Sequence, residues 1–135
     1  MRSERVVLFG AGLIGKERAE AVQILRGRGR PVELAGIYDP DSDLARKLAG
    51  ASSAKVLSSR EEAWALRPTL CMIATPHDTA VDLTRDALGR GLRVLVEKPL
   101  GRSLSEAQSL ASLAGSGQLM VGFNYRFYPG IERAV

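Results

Sequence analysis

Six residues near the start of the chain, Gly10-Ala11-Gly12-Leu13-Ile14-Gly15, constrain its fold more than any other stretch. They follow a short apolar run, Val6–Phe9, which suits a buried strand. They lead into Leu13–Leu25, where Leu13, Ala19, Val22 and Leu25 recur near helical spacing with charges between them. The predicted order is strand, tight glycine turn, helix. In that context each glycine serves a separate purpose. Gly10 permits the turn, Gly12 lets the backbone approach a pyrophosphate, and Gly15 allows close helix–sheet packing. The helix start at Leu13 and Ile14 then offers free N–H groups and a favourable dipole to phosphates. Outside that context the spacing is a weak signal, and the alternative is a glycine-rich connection that binds nothing.

The rest of the chain repeats the alternation. Strands are predicted at Val32–Tyr38, Lys55–Leu57, Thr69–Ala74, Leu92–Val96 and Leu119–Val121. Helices are predicted at Asp41–Ala49 (with Gly50 past its end), around Trp64, at Asp78–Leu88 and at Ser103–Ala114. Ser59 with Glu62, and Ser103 with Glu106, have capping-box spacing. The strands are continuously apolar rather than alternating, as in a parallel sheet covered on both faces. Right-handed crossovers then leave a doubly wound α/β fold, the Rossmann arrangement of three layers, α/β/α, over residues 1–122. Beyond Gly122 aromatic residues cluster, and a new helix is expected over Ile131–Val135, the start of a second domain in residues 123–135.

Several function classes are excluded or disfavoured. No run of 18 apolar residues exists, so no membrane span is expected. Cys71 is the single cysteine. It permits no internal disulfide and no cysteine-based metal site, and with no secretory signal it points to the cytoplasm. The net charge is +4, and Arg26, Arg28 and Arg30 form a basic, glycine-rich segment. No aromatic side chains accompany it as nucleic-acid binding would need, so it reads as a solvated loop rather than a nucleic-acid patch. Cys71, Met72, Met120 and Trp64 read as core.

Asp39 ends the second predicted strand, 24 residues after Gly15. The acid that accepts from adenosine ribose hydroxyls stands at about 20 residues in this fold. A carboxylate there repels a 2′-phosphate, which favours NAD over NADP. The alternative is a turn or N-cap aspartate in Asp39-Pro40-Asp41.

Glu97-Lys98-Pro99 follows the fifth strand. Together with the glycine turn, Ala74-Thr75-Pro76 and the segment Gly122-Phe123-Asn124-Tyr125-Arg126-Phe127-Tyr128-Pro129, it makes the chain resemble the Gfo/Idh/MocA oxidoreductases. The resemblance covers nearly all 135 residues, but only the N-terminal half of a family member. It implies a nicotinamide dinucleotide as partner and, for the full-length protein, a small hydroxylated substrate, a sugar or polyol. Lys98 would be catalytic, beside the nicotinamide and hydrogen-bonded to the reacting hydroxyl. Glu97 and Pro99 would shape that turn, Thr75 and Pro76 would lie along the cofactor, and Asn124 would stand where the chain crosses to the substrate domain. Without these motifs Lys98 would read as an exposed loop cation. The chain departs from the family pattern at Ala80, where a histidine is common, and at His77, where asparagine is common; His77 either touches the cofactor or only starts a helix. No segment matches the one that carries the family's catalytic base. The implied activity is NAD(P)-dependent oxidation of CH–OH groups. A non-catalytic dinucleotide-binding or redox-sensing module is the alternative, and an S-adenosylmethionine methyltransferase is a third reading that leaves Glu97-Lys98-Pro99 unexplained. A homo-oligomer is left open, with the aromatic segment either paired to another chain or disordered.

Overall fold

A computed structural model describes residues 2–134. Six strands form one sheet: β1 (Glu4–Phe9), β2 (Val32–Tyr38), β3 (Lys55–Leu57), β4 (Leu70–Ile73), β5 (Arg93–Val96) and β6 (Leu119–Val121). Their order across the sheet is β3-β2-β1-β4-β5-β6 and every neighbouring pair is parallel. The connections are α1 (Leu13–Gly27), α2 (Ser42–Ser52), α3 (Arg60–Ala65), α4 (His77–Gly89) and α5 (Leu104–Leu113). Because all strands run the same way, their C-terminal ends lie along one edge, and the strand order reverses between β1 and β4. Open sheets of this kind bind ligands there.

The apolar strands are buried on both faces, as their composition requires. Val6, Leu8, Leu34, Ile37 and Met72 pack under α1 and α2 with Ala19, Val22, Ala45 and Leu48. Val7, Phe9, Cys71, Ile73, Val94 and Val96 pack on the other face with Ala63, Leu83 and Leu88. Leu34 and Ile37 share a face despite their odd spacing because the β1–β2 register slips between Val6 and Val7, where Leu34 is followed by Gly36 as partner. Burial pushes the Cys71 thiol far above its ordinary pKa, which keeps it neutral.

Local chemistry sets the helix starts. Asp41 caps α2 by accepting from the amides of Asp43 (3.0 Å) and Leu44 (3.3 Å). Ser59 and Ser103 accept from Glu62 and Glu106 amides, as their spacing predicts. The glutamates reach one residue further back than a capping box requires, to the amides of Ser58 and Arg102. Three expectations need correction. Helix α2 continues through Gly50 to Ser52, with the left-handed turn supplied by Ser53 (φ 58°). Met120 is 47% exposed: β6 is an edge strand, and only its other face, Leu119 and Val121, meets the core. The last helix is α6 (Pro129–Glu132), preceded by a 3₁₀ turn at Asn124–Phe127; Pro129 sets its first turn, and Val135 lies outside the described residues.

Asp86 of α4 ties α3 and α4 to each other. It accepts from Arg90 Nε (2.7 Å), from the Trp64 indole (3.1 Å) and from Arg60 (3.4 Å). Burial alone would raise its carboxyl pKa, but the Arg90 and Trp64 hydrogen bonds, the Arg90 charge and the Arg60 contact outweigh it and hold the carboxyl below its ordinary value. A depressed folded-state pKa stabilises the fold above the unfolded pKa, and that stabilisation is lost as pH falls through the folded one. We therefore expect Asp86→Ala to cost about 1–2 kcal/mol at pH 7 in denaturant unfolding. The gap from wild type should shrink as pH drops below about 4; an undiminished gap at acid pH would assign the loss to packing.

Candidate functional site

The turn between β1 and α1 is closed so tightly that two of its positions admit only glycine. Gly10 has φ +98°, and a Cβ there would stand 2.3 Å from the Ala74 carbonyl oxygen. A Cβ on Gly15 would stand 1.9 Å from the carbonyl oxygen of Gly10. Gly12 is different: a Cβ there meets nothing within 4 Å. Its absence leaves open space at the start of α1 rather than relieving a contact. The first intrahelical bond is Lys16 N–H to Gly12 C=O at 2.9 Å. The amides of Leu13, Ile14 and Gly15 therefore have no backbone acceptor among the described residues, and the first turn holds no acidic side chain to compete for them.

Asp39 leaves the end of β2 half-buried and is bound on both oxygens. Oδ2 accepts from the Ala11 amide at 2.7 Å and Oδ1 from the Asp41 amide at 2.8 Å. It is thus a turn aspartate, but Asp41 is the N-cap, and the Ala11 bond brings the carboxylate against the glycine turn. Each oxygen keeps a further lone pair for a ligand hydroxyl. A cleft of about 520 Å³ opens between the two halves of the sheet, bordered by Gly10, Gly12, Asp39, Thr75 and Pro76. In its wall the Thr75 hydroxyl is buried and has no partner among the described residues. Two of these features suit a dinucleotide: an open glycine cradle beside unpaired helix amides, and a buried hydroxyl awaiting a partner. His77 is exposed, the first residue of α4 after Pro76, and does not border the cleft.

Further along the same edge, β5 is followed by Glu97, Lys98 and Pro99, with a cis peptide between the last two. Lys98 is exposed, and its ammonium has no acceptor among the described residues. Glu97 is paired with Arg18 of α1, and Arg18 also donates to Asn124 Oδ1 at 3.2 Å. Two further residues of this edge belong to none of the sequence motifs. Arg60, first residue of α3, borders the cleft. Arg18 follows Gly15 by three positions, the spacing that keeps a side chain on one helix face, and that offset is the signal the sequence offers.

The fold and this edge place the chain in a class, the dinucleotide-binding Rossmann domains. The chain belongs to the GFO_IDH_MocA family, an oxidoreductase family with an NAD-binding Rossmann fold, whose profile matches residues 4–125. It is 31% identical over 131 residues to the rhizopine catabolism protein MocA of Rhizobium meliloti, spanning 96% of this chain and 40% of that one. It superposes on GenD2 from gentamicin A biosynthesis, solved in complex with NAD, with TM-score 0.88 and 30% identity, covering 99% of this chain and 38% of the other. For a myo-inositol dehydrogenase from Corynebacterium glutamicum the TM-score is 0.83 at 32% identity, covering 98% and 39%. The chain therefore spans about 40% of the length of the relatives it matches.

The two kinds of glycine can be told apart by stability. Gly15→Ala should cost about 3 kcal/mol or more, because helix and turn must separate. Gly12→Ala should stay within about 1 kcal/mol of wild type, since its space is open and its φ of −72° is ordinary. Equal losses in chemical denaturation would contradict the wedge at Gly15.

Proposed function

We propose that this chain is the cofactor-binding half of an NAD-dependent dehydrogenase acting on sugars, polyols or related hydroxyl compounds. The observation that carries the reading is one cleft bordered by Gly10 and Gly12 of the glycine turn, the Asp39 carboxylate and Thr75, whose hydroxyl has no partner among the described residues, at the point where α1 begins with unpaired amides. In this reading Gly10, Gly12, Leu13, Ile14 and Gly15 hold the pyrophosphate by backbone N–H groups. Asp39 accepts from the adenosine ribose, Thr75 and Pro76 line the path, and His77 follows Pro76 outside the cleft, where a cofactor contact would need the ligand to extend past Pro76. Glu97, Lys98 and Asn124 stand at the nicotinamide end. The bound nicotinamide supplies a hydride acceptor.

The chain's own chemistry at that end is carried by Lys98. A free ammonium orients a substrate hydroxyl and stabilises the charge that develops on its oxygen as the C–H bond breaks. Proton removal and substrate positioning are assigned to a second domain, which we take to begin at Phe123. Phe123, Tyr125, Phe127 and Tyr128 are all exposed there. The chain alone should thus bind cofactor and turn over little, because binding needs this half and chemistry needs the substrate held in place. The single thiol, buried and neutral, suits a cytoplasmic setting.

The preference for NAD rests on charge. A 2′-phosphate would enter beside the Asp39 carboxylate. Arg46, the arginine in the hollow next to Asp39, is turned to its own helix, donating to the Ser42 hydroxyl at 2.7 Å and pairing with Asp43 at 3.5 Å. Arg60 is held by Asp86. Calorimetric titration of the chain with NAD, NADP and S-adenosylmethionine should show binding in that order of strength, with NAD well ahead. Asp39→Ala should weaken NAD by about tenfold or more, the value of one good charged hydrogen bond, and NADP much less. Equal losses for the two dinucleotides would remove Asp39 from the ribose site, and no dinucleotide binding at all would overturn the reading.

A further inference from the structure

Arg18 and Glu97 form the most enclosed ion pair of the C-terminal edge, with side chains 16% and 18% exposed. Both Nε and a terminal nitrogen of Arg18 address the same Glu97 oxygen. The backbone on either side is fixed: the Glu97 amide donates to Ile73 C=O at 3.0 Å, and the Gly122 amide donates to Val96 C=O at 2.8 Å. Gly122 leaves no slack, since a Cβ there would stand 2.9 Å from the second Glu97 oxygen and 3.1 Å from Arg18. Three segments distant in sequence therefore close on one carboxylate. The residue that follows that carboxylate is Lys98, whose ammonium has no partner among the described residues.

We propose that Arg18 is a positioning residue for Lys98: it occupies the Glu97 carboxylate and so keeps Lys98 from being neutralised by its own neighbour. This rests on the role given to Lys98 above. A half-enclosed carboxylate that loses its cation is left uncompensated and draws another, and the ammonium nearest in sequence is that of Lys98. An ammonium captured in this way would no longer be free to orient a hydroxyl. Arg18 stands one turn beyond Gly15 on the helix that the glycine turn begins, so one helix would serve the phosphates with its first amides and the lysine with its guanidinium.

The test uses the chain with reductively ¹³C-methylated lysines. Lysine occurs at positions 16, 47, 55 and 98, so the Lys98 methyl signal is assigned by its loss in Lys98→Arg. Spectra are read first without dinucleotide. In Arg18→Met the Lys98 signal should move and its relaxation rate should change about twofold, while those of Lys47 and Lys55 stay. Arg18→Lys, which keeps a cation on Glu97, should restore the wild-type position. Glu97→Gln alone should leave Lys98 unmoved, because in the wild type that carboxylate is already taken. An unchanged Lys98 in Arg18→Met, or a displaced Lys98 in Glu97→Gln, would overturn the proposal. Should Arg18→Met fail to fold, the Glu97→Gln spectrum decides alone. NAD is added last: if no lysine signal responds, the dinucleotide reading fails while the Arg18–Glu97–Lys98 relation stands as measured.

Discussion

The structure hinges on a place where three pieces of backbone meet with no side chain between them. Gly10 lies against the carbonyl of Ala74 at the end of β4, and Gly15 of α1 lies against the carbonyl of Gly10. Strand β1, the helix that follows it and the strand across the switch in sheet order are thereby locked at van der Waals contact. Asp39 adds the end of β2 by accepting the Ala11 amide. Without that closeness α1 would stand off the sheet, and Ala19 and Val22 could not reach Leu8 and Ile37 beneath it. The cleft is the outer side of the same junction, so packing and the proposed cofactor cradle draw on one set of glycines.

Electrostatics takes over where backbone contact ends. Towards β5 the edge is held by side chains: Arg18 on Glu97, with Asn124 as second acceptor. Towards α3 and α4 it is held by Asp86, which gathers Arg60, Trp64 and Arg90. Arg90 also lies over the Trp64 ring at 5.1 Å, and Trp64 in turn meets Phe9 at 5.4 Å. Both clusters are partly shielded, where an ion pair with fixed geometry and further hydrogen bonds is worth more than an exposed one. By contrast, the exposed i,i+4 pair of Lys16 with Glu20, at 4.0 Å, adds little.

Much of this is legible in the sequence, and the reasons differ by feature. The strands can be read because a parallel sheet buried on both faces leaves an apolar run with no alternation, and Val6–Phe9 and Cys71–Ile73 are such runs. Asp39 can be read because chain order fixes it at the end of β2. Its bond to Ala11 cannot, since spacing tells which edge a residue reaches and not what it accepts. Gly50 misleads: glycine often ends helices, but at this position α2 buries Ala49 and Ser52 on either side, and tertiary packing outweighs a propensity cost of about 1 kcal/mol. Met120 misleads because apolarity does not tell a central strand from an edge strand. Arg18 and Arg60 escape notice because a charged side chain on an amphipathic helix reads as solvated surface, and only the fold shows that these two point along the sheet's edge.

Strand order also explains why the candidate residues are spread through the sequence yet fall in a line. Asp39 follows β2, the glycine turn follows β1, Thr75 lies just past β4 and Lys98 just past β5, and those four strands are consecutive neighbours. Three interstrand spacings separate the first from the last, about 14 Å at ~4.8 Å each. On the proposed reading an extended dinucleotide lies across this edge, with one ribose at β2, the pyrophosphate at the glycine turn of β1, and its reactive ring near β5. Lys98 then falls at the reacting end because of the strand it terminates, whatever loop it belongs to. A lysine placed after β4 would meet the middle of the cofactor, and one after β6 would lie past it. On that reading sheet topology sets which strand can carry the reactive cation, and in the relation proposed above the Arg18–Glu97 pair beside it leaves that cation free.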